Sequence, residues 1–272
     1  MVDVRPRRHP LTGVLLTLAN MHYGQLYDEQ VAASYDDDAL GLLARVRSIG
    51  VAQILEAGVP ADAVMLDLGV GTGESLRALA HGAAPARMIG IDLSPRMIEI
   101  AQRKVSFEAH IDDACNAEAH VAPGSVDISL AHFITSFVDR PRLFGAARAT
   151  LKPGGLFSVL STPYAAFANI RRIVGALLGD EVVNAAAPAP TLDELTADLH
   201  GAGFAVLSAD TFRCPVEFRS FDEAVTWGMK SGFFTQAIDA IGLDRIRQFA
   251  DMPGVFPLAD EYLGVAVLAR AI

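Results

Sequence analysis

The sequence predicts an α/β protein built on a doubly wound, mostly parallel sheet, and three observations carry that expectation. Short apolar runs alternate with helical stretches across residues 64–161, the pattern of successive βαβ units. The first run, VMLDL (64–68), opens directly into a glycine loop, GVGTG (69–73). The second, MIGID (88–92), is followed by SPRMIEIAQRKV (94–105), with Ser94 as helix cap and Pro95 at the first helical position.

The remaining elements follow in order. After VMLDL comes a helix over 73–82, and after the Ser94-capped helix a third strand, FEAHI (107–111). VDISLA (126–131) is the fourth strand, DRPRLFGAARATL (139–151) a helix ending in the turn KPGG (152–155), and LFSVLS (156–161) the fifth strand. TLDELTADLHGAGF (191–204) is a helix with a Thr cap, a Glu three residues on and glycines near its end. AVLSADTFRC (205–214) and LGVAVLARA (263–271) read as two further strands, with a mostly helical stretch between them (220–250). The domain expectation is therefore a helical N-terminal lid over 1–60 and an α/β core over 61–272, with insertions at 161–190 and 215–258.

Composition narrows the function. The chain has 272 residues, half of them hydrophobic, enough for a full core. Its formal net charge of −10 suits no nucleic-acid partner, which needs a basic stripe; the basic cluster here is Arg5, Arg7 and Arg8. Two cysteines and seven histidines without metal-ligand spacing predict neither a disulfide framework nor a metal site. No apolar run reaches the ~20 residues of a membrane span. RPRRHP followed by LTGVLLTLA (11–19) has the outline of a secretory signal. The alternative, a basic tail leading into an amphipathic helix, accords better with a chain that otherwise reads as cytoplasmic.

Ligands of open α/β sheets bind at the carboxyl ends of the strands. A phosphate-binding P-loop is excluded, because no Lys-Ser/Thr follows the glycines. A dinucleotide fingerprint fits poorly: Gly73 falls one place early and Glu74 occupies the third glycine position, where it would oppose a pyrophosphate. Asp67, at the end of the first strand, suits a ligand with an ammonium group. Asp92 ends the second strand, 23 residues after Gly69, where an acid can accept the hydroxyls of a ribose. A ribose, an amino-acid end and a positive charge without phosphate describe S-adenosylmethionine (SAM).

DLGVGTG (67–73), GIDLSPRMIEIA (90–101), DDA (112–114), SVDISLAH (125–132) and LKPGGLFSVLS (151–161) resemble, in order and spacing, the motifs of class I SAM-dependent methyltransferases. The resemblance covers residues 60–215 and implies a Rossmann-like, seven-stranded sheet whose last strand is antiparallel. It also implies residue roles. Asp67 and the backbone of Gly69, Val70, Gly71, Thr72 and Gly73 would hold the methionine end, and Asp92 the ribose. Leu93 and Met97 would pack on the adenine. Asp113 or Asp112 would accept the adenine amino group, Asp113 being preferred because Ala114 follows it and would offer its N–H. Ala131 would lie beside the cofactor, and Tyr27 and Tyr35 would close over its methionine end.

Methyl transfer from a sulfonium is mainly a matter of alignment and exclusion of water, with a base where the nucleophile starts protonated. His132, after the fourth strand, is the candidate base. The resemblance also points away from amino groups of bases or glutamine, since AHFITSF (131–137) replaces the Asn/Asp-Pro-Pro-aromatic motif of those enzymes. A small-molecule substrate with an N or O nucleophile is expected, in a mainly apolar pocket lined by Tyr23, Tyr164, Trp227, Phe233, Phe234 and Tyr262. Aromatic faces there would favour a cationic substrate or the sulfonium. Two other readings keep the cofactor: an intramolecular cyclase that releases methylthioadenosine while forming an azetidine amino acid, and a catalytically silent SAM-binding module. Neither the acceptor nor the oligomeric state is legible in the sequence.

Overall fold

A computed structural model of the chain describes residues 23–163, 165–178, 189–233, 242–247 and 254–272. Its strands are β1 (Val64–Leu68), β2 (Arg87–Asp92), β3 (Glu108–Ile111), β4 (Val126–His132), β5 (Leu151–Ser161), β6 (Phe204–Phe218) and β7 (Leu258–Ala271). Helices α1 (Leu42–Ala57), α2 (Glu74–Ala83), α3 (Pro95–Gln102), α4 (Arg140–Thr150), α5 (Ala168–Leu178), α6 (Leu192–Gly201), α7 (Phe221–Lys230) and α8 (Leu243–Arg247) surround them. Ahead of α1 runs a strap with a π-helical turn, Tyr27–Val31, and a 3₁₀ turn, Tyr35–Asp37.

The strands form one sheet in the order β3-β2-β1-β4-β5-β7-β6. All pairs from β3 to β5 are parallel, whereas β7 runs antiparallel to both β5 and β6. The chain leaves β1 in one direction through β2 and β3, then returns to place β4 on its other side. That reversal makes the carboxyl ends of β1 and β4 the switch point of the sheet, where a crevice opens.

Both faces of the sheet are covered. On one, Leu66, Ile89, Ile91, Phe157 and Val267 pack with Phe144 of α4 and Leu195 and Leu199 of α6. On the other, Met65, Ile128, Leu130 and Leu268 pack with Ile54 of α1, Leu76 and Leu79 of α2 and Ile98 of α3. Alternate residues of one strand thus enter opposite cores, as a doubly wound sheet requires.

Local signals place the helix starts. The Ser94 side chain accepts from Met97 N, with Pro95 in the first turn. Asp139 caps α4 in the same manner, and Thr191 with Glu194 forms a reciprocal capping box on α6. Helix α1 begins on Asp38, whose two carboxylate oxygens accept from Leu42 N and Ala44 N at 3.0 Å each.

Two departures from the sequence reading have simple causes, and a third stretch, 161–190, is helical in part as a helical insertion there leads one to expect. KPGG does not separate the α4 helix from a later strand: β5 starts at Leu151, and the four residues are an excursion within it. Pairing jumps from Val126↔Leu151 to Ile128↔Leu156, with Gly154 at φ +78°. Strands β6 and β7 extend to Phe218 and back to Leu258 as a two-stranded ribbon, reaching past the 205–214 and 263–271 expected. There each strand has one neighbour, so its residues alternate between buried and exposed rather than forming an apolar run. Part of the 161–190 stretch is helical, as α5.

Helix α1 lies across β7 and β5, and Gly264 makes that approach possible. A Cβ there would stand 2.3 Å from Val46 Cγ2. Gly264→Ala is therefore expected to lower unfolding stability by about 1–3 kcal/mol through overpacking. The denaturant midpoint should fall without a change in slope.

Candidate functional site

The glycine loop is anchored to the neighbouring strand before any ligand is considered. Gly69 N and Val70 N both donate to Ile91 O, at 2.8 and 3.0 Å. Gly71 N donates to one oxygen of Asp92 at 2.8 Å, and Ser94 N to the other at 2.9 Å. Gly69 has φ +81°, and a Cβ on it would meet Ile134 Cδ1 at 2.5 Å. The loop thus needs glycine both for its dihedral and for its closeness to the segment after β4.

A cavity of about 110 Å³ opens between this loop and the strap. Of the residues expected at the cofactor, Tyr27, Tyr35, Gly69, Gly71, Asp92, Leu93, Met97, Asp113 and Ala114 line it, together with Tyr23 and His132. A recess of about 30 Å³ continues from it between Gly69, Gly71, Tyr35 and His132, and adds Asp67, Val70 and Thr72. Gly73, Asp112 and Ala131 line neither. Gly73 caps α2 and packs against Ala101 of α3. Asp112 turns away to Asn116 and His120, at 3.0 and 2.6 Å, and Ala131 is fully buried in the core.

The recess holds two buried polar atoms without hydrogen-bond partners, Asp67 Oδ1 and Arg47 Nε. Burial first, then the nearby charge of Asp92, pushes the Asp67 carboxyl well above the usual range, while the Arg47 guanidinium opposes them. Arg47 was not anticipated from sequence. The available signal was its spacing: it stands four residues after Leu43 and three before Gly50, on the face of α1 that is buried. A charge on a buried helical face asks for a partner.

Glu74, which the sequence sets against any pyrophosphate, is itself neutralised. Burial opposes its ionisation, but hydrogen bonds from Arg77 and Lys104 outweigh it and bring its pKa to about 2.

His132 lies at the cavity wall with both ring nitrogens occupied. Nδ1 is 2.8 Å from Ser75 Oγ, and Nε2 is 3.0 Å from Ser158 Oγ. Burial, with the positive charge of Arg47, drops its pKa to about 3. A neutral imidazole bridging two hydroxyls has neither a free lone pair nor a free N–H to offer a substrate.

The strap covers the cavity and is tied on both sides. Asp28 accepts from Ser94 Oγ at 2.5 Å and Arg96 N at 2.8 Å. Asp36 accepts from Thr72 Oγ1 at 2.7 Å and Lys104 Nζ at 2.5 Å. Asp37 pairs with Lys230 of α7 at 2.8 Å, and Tyr27 OH donates to Gly232 O at 3.3 Å.

A second cavity of about 90 Å³ shares Tyr27, Tyr35, Phe133 and Phe137 with the first. Phe233 lines it, stacked on Trp227 with centroids 5.0 Å apart and 13° between planes. Trp227 and Tyr262 stand behind Phe233 in the apolar cluster, and Tyr262 OH reaches Thr162 Oγ1 at 3.1 Å. Tyr164 and Phe234 lie outside the described residues. This second cavity departs from the mainly apolar pocket expected, since Thr135, Ser136, Ser161, Thr162 and Ser231 share its wall with the aromatics.

A seven-stranded sheet with an antiparallel β7, a glycine loop at its switch point and an acid at or next to the end of each of the first two strands make up a Rossmann-like fold. Residues 65–155 match the sequence model of a methyltransferase domain. It is 32% identical over 103 residues to a demethylmenaquinone methyltransferase of Thermus thermophilus, a match covering 36% of this chain and 47% of that one. Over 145 residues it is 31% identical to a malonyl-[acyl-carrier protein] O-methyltransferase of Hahella chejuensis, covering 51% of each. The chain thus spans about half the length of these curated relatives. Among solved structures, the YcgJ protein of Bacillus subtilis superposes with a TM-score of 0.59 at 15% identity, over 84% of this chain and 98% of that one. At that identity the likeness is one of fold.

The bridged His132 is directly measurable. Its imidazole proton resonances should show no titration between pH 5 and 8 and a midpoint near 3; a midpoint near 6.5 would contradict the two-serine bridge. The unfolded chain takes up that proton more readily than the folded one. This contribution to stability is therefore complete above about 6.5 and is lost as pH falls toward 3.

Proposed function

We propose that the larger cavity and its recess hold SAM, and that the chain transfers the methyl group to an oxygen or nitrogen of a small molecule. The observation that carries this reading is a pair of buried atoms without hydrogen-bond partners on side chains of opposite sign, Asp67 Oδ1 and Arg47 Nε, in one recess. Unsatisfied buried charges are costly. An α-amino acid end satisfies both, its ammonium at Asp67 and its carboxylate at Arg47. A pyrophosphate would satisfy only one.

The other roles follow along the cavity. Asp92, fixed by Gly71 N and Ser94 N, would take the ribose hydroxyls, with the backbone of Gly69 to Thr72 alongside. Leu93 and Met97 would pack on the adenine. Asp113 would accept from its amino group: one oxygen holds Cys115 N at 2.9 Å, which fixes the carboxylate in place. Asp112, turned outward, is not the adenine partner in this reading.

Bound SAM supplies an electrophilic methyl group on a sulfonium sulfur. The protein's share is to bind, orient and exclude water. Tyr23, Tyr27 and Tyr35 cover the cavity, and burial holds the phenols of Tyr27 and Tyr35 protonated, Tyr35 at about 12. His132 acts as a positioning residue that locks α2 and β5 against the end of β4. Of the lid read over residues 1–60, 161–190 and 215–258, the described residues that border the cavities belong to the strap, to α5 and to the turn after α7. A relative named as a demethylmenaquinone methyltransferase supports a small-molecule acceptor.

Calorimetry tests the cofactor. SAM and S-adenosylhomocysteine should bind at micromolar concentration, and the reading fails if neither does. Asp67→Asn and Arg47→Gln should each weaken binding by at least about tenfold, or ~1.4 kcal/mol. Because the ligand's ammonium needs Asp67 ionised and burial holds that carboxyl protonated to higher pH, wild-type affinity should fall on acidification. Asp67→Asn should remove that dependence.

A further inference from the structure

Asp112 lines neither cavity, yet it holds together the turn that carries two residues of the larger one. Asp113 and Ala114 line that cavity and open a 3₁₀ segment, Ala114–Ala119, with Asp113 as its cap. The segment is not a continuous helix. Asn116 leaves helical dihedrals at φ −102° and ψ 18°, so its two halves meet at a kink. A short 3₁₀ run broken in the middle has few hydrogen bonds of its own to fix it. Its buried side chains, Ala114, Cys115 and Ala117, are small.

Side chains supply the missing ties. Asp112 Oδ1 accepts from Asp113 N at 2.7 Å and from Asn116 Nδ2 at 3.0 Å, while Oδ2 lies 2.6 Å from His120 Nε2. One carboxylate thus spans the start, the kink and the end of the segment. Burial opposes its ionisation, but hydrogen bonds from His120, Asn116 and Asp113 N outweigh it and hold the carboxyl below its ordinary range. An ionised carboxylate only accepts, which makes His120 Nε2 the donor.

The His120 ring is fixed in turn. It stacks on His110 with centroids 4.5 Å apart and 26° between planes. His110 Nε2 is 2.9 Å from Glu108 Oε1, and Glu108 Oε2 accepts from Arg87 Nη2 at 2.5 Å. His110 and Glu108 belong to β3 and Arg87 to β2. The contacts therefore anchor the turn to the edge of the sheet.

We propose that Asp112 and His120 are positioning residues for the adenine end of the cofactor, acting through Asp113. With the turn clamped, the Asp113 carboxylate keeps one place on the cavity wall. There it accepts from a purine 6-amino group and rejects a purine with a carbonyl at that position, since two acceptors cannot bond. A hydrogen bond weakens steeply outside a narrow range of length and angle, so a turn free to open at Asn116 would blunt the choice. This role rests on the reading of the larger cavity as the SAM site.

Calorimetry on the full chain compares S-adenosylhomocysteine with S-inosylhomocysteine, which has a carbonyl in place of the amino group. The wild-type protein should bind the adenosyl compound at least about tenfold more tightly. Asp112→Ala should remove most of that preference. So should His120→Phe, which keeps a ring on His110 but loses the donor. Both should weaken the adenosyl compound while the inosyl compound binds as before, an outcome that loss of folding would not give. His120→Gln, which retains an N–H donor, should keep most of the preference. The proposal is overturned if the wild type binds both compounds equally, or if Asp112→Ala and His120→Phe keep the preference or weaken both compounds alike. It is also overturned if His120→Gln loses as much as His120→Phe. Failure of S-adenosylhomocysteine to bind the wild-type protein overturns the cofactor reading instead, and the first titration separates the two.

Discussion

Asp67, one residue before the end of β1, lies inside the core with Oδ1 lacking any hydrogen-bond partner, and burying a carboxylate in that state is among the costliest things a fold can do. Around it the rest of the site is arranged. Strand β1 is gripped by β2 on one side and β4 on the other, so the carboxyl cannot withdraw to solvent. Asp92 adds a like charge from the next strand, and Arg47 brings the opposite charge from α1. The strand-order reversal between β1 and β4 opens the crevice into which these groups face. Asp67 and Arg47 face the recess, and Asp92 faces the larger cavity beside it.

The acidic character of the chain has a second use. Asp28, Asp36 and Asp37 all lie on the strap, and each is fastened to a different element: the start of α3, the glycine loop with Lys104, and α7. Exposed ion pairs of this kind contribute about 0–1 kcal/mol each. Asp28 is better placed, because it meets a backbone N–H in the first turn of a helix, where negative charge is favoured. Several weak fastenings and one stronger one suit a cover that must both exclude water and let a ligand pass. Through Tyr27 and Tyr35 the same strap lines both cavities, so the two share one cover.

Much of the architecture was legible because its signals are local. VMLDL and the glycines after it, the Ser94-Pro95 helix start and the Thr191/Glu194 capping box each satisfy backbone groups within a few residues. They therefore read the same in sequence and in space. Where pairing is distant, the reading was shorter than the structure. The outer ribbon of β6 and β7 is held by register with a single neighbour, and a one-sided strand carries no continuous apolar run. The KPGG excursion within β5 looks like a plain turn until β4 is seen pairing on both sides of it.

The sequence by itself determined the order of strands and helices, the loop at the first strand end, and the acids Asp67 and Asp92 that face the crevice. These follow from periodicity and from caps, which act over one or two turns of chain. Only the tertiary structure decided between Asp113 and Asp112 as the residue lining the cavity, because both sit in one turn and differ in which way the 3₁₀ helix after them points. Arg47 required it too, since it meets Asp67 and His132 in the recess only where α1 packs on the sheet. His132 shows the limit most clearly. Its place after β4 suggests a base, but a histidine's chemistry depends on what its two nitrogens touch, and Ser75 and Ser158 come from elements remote in the chain.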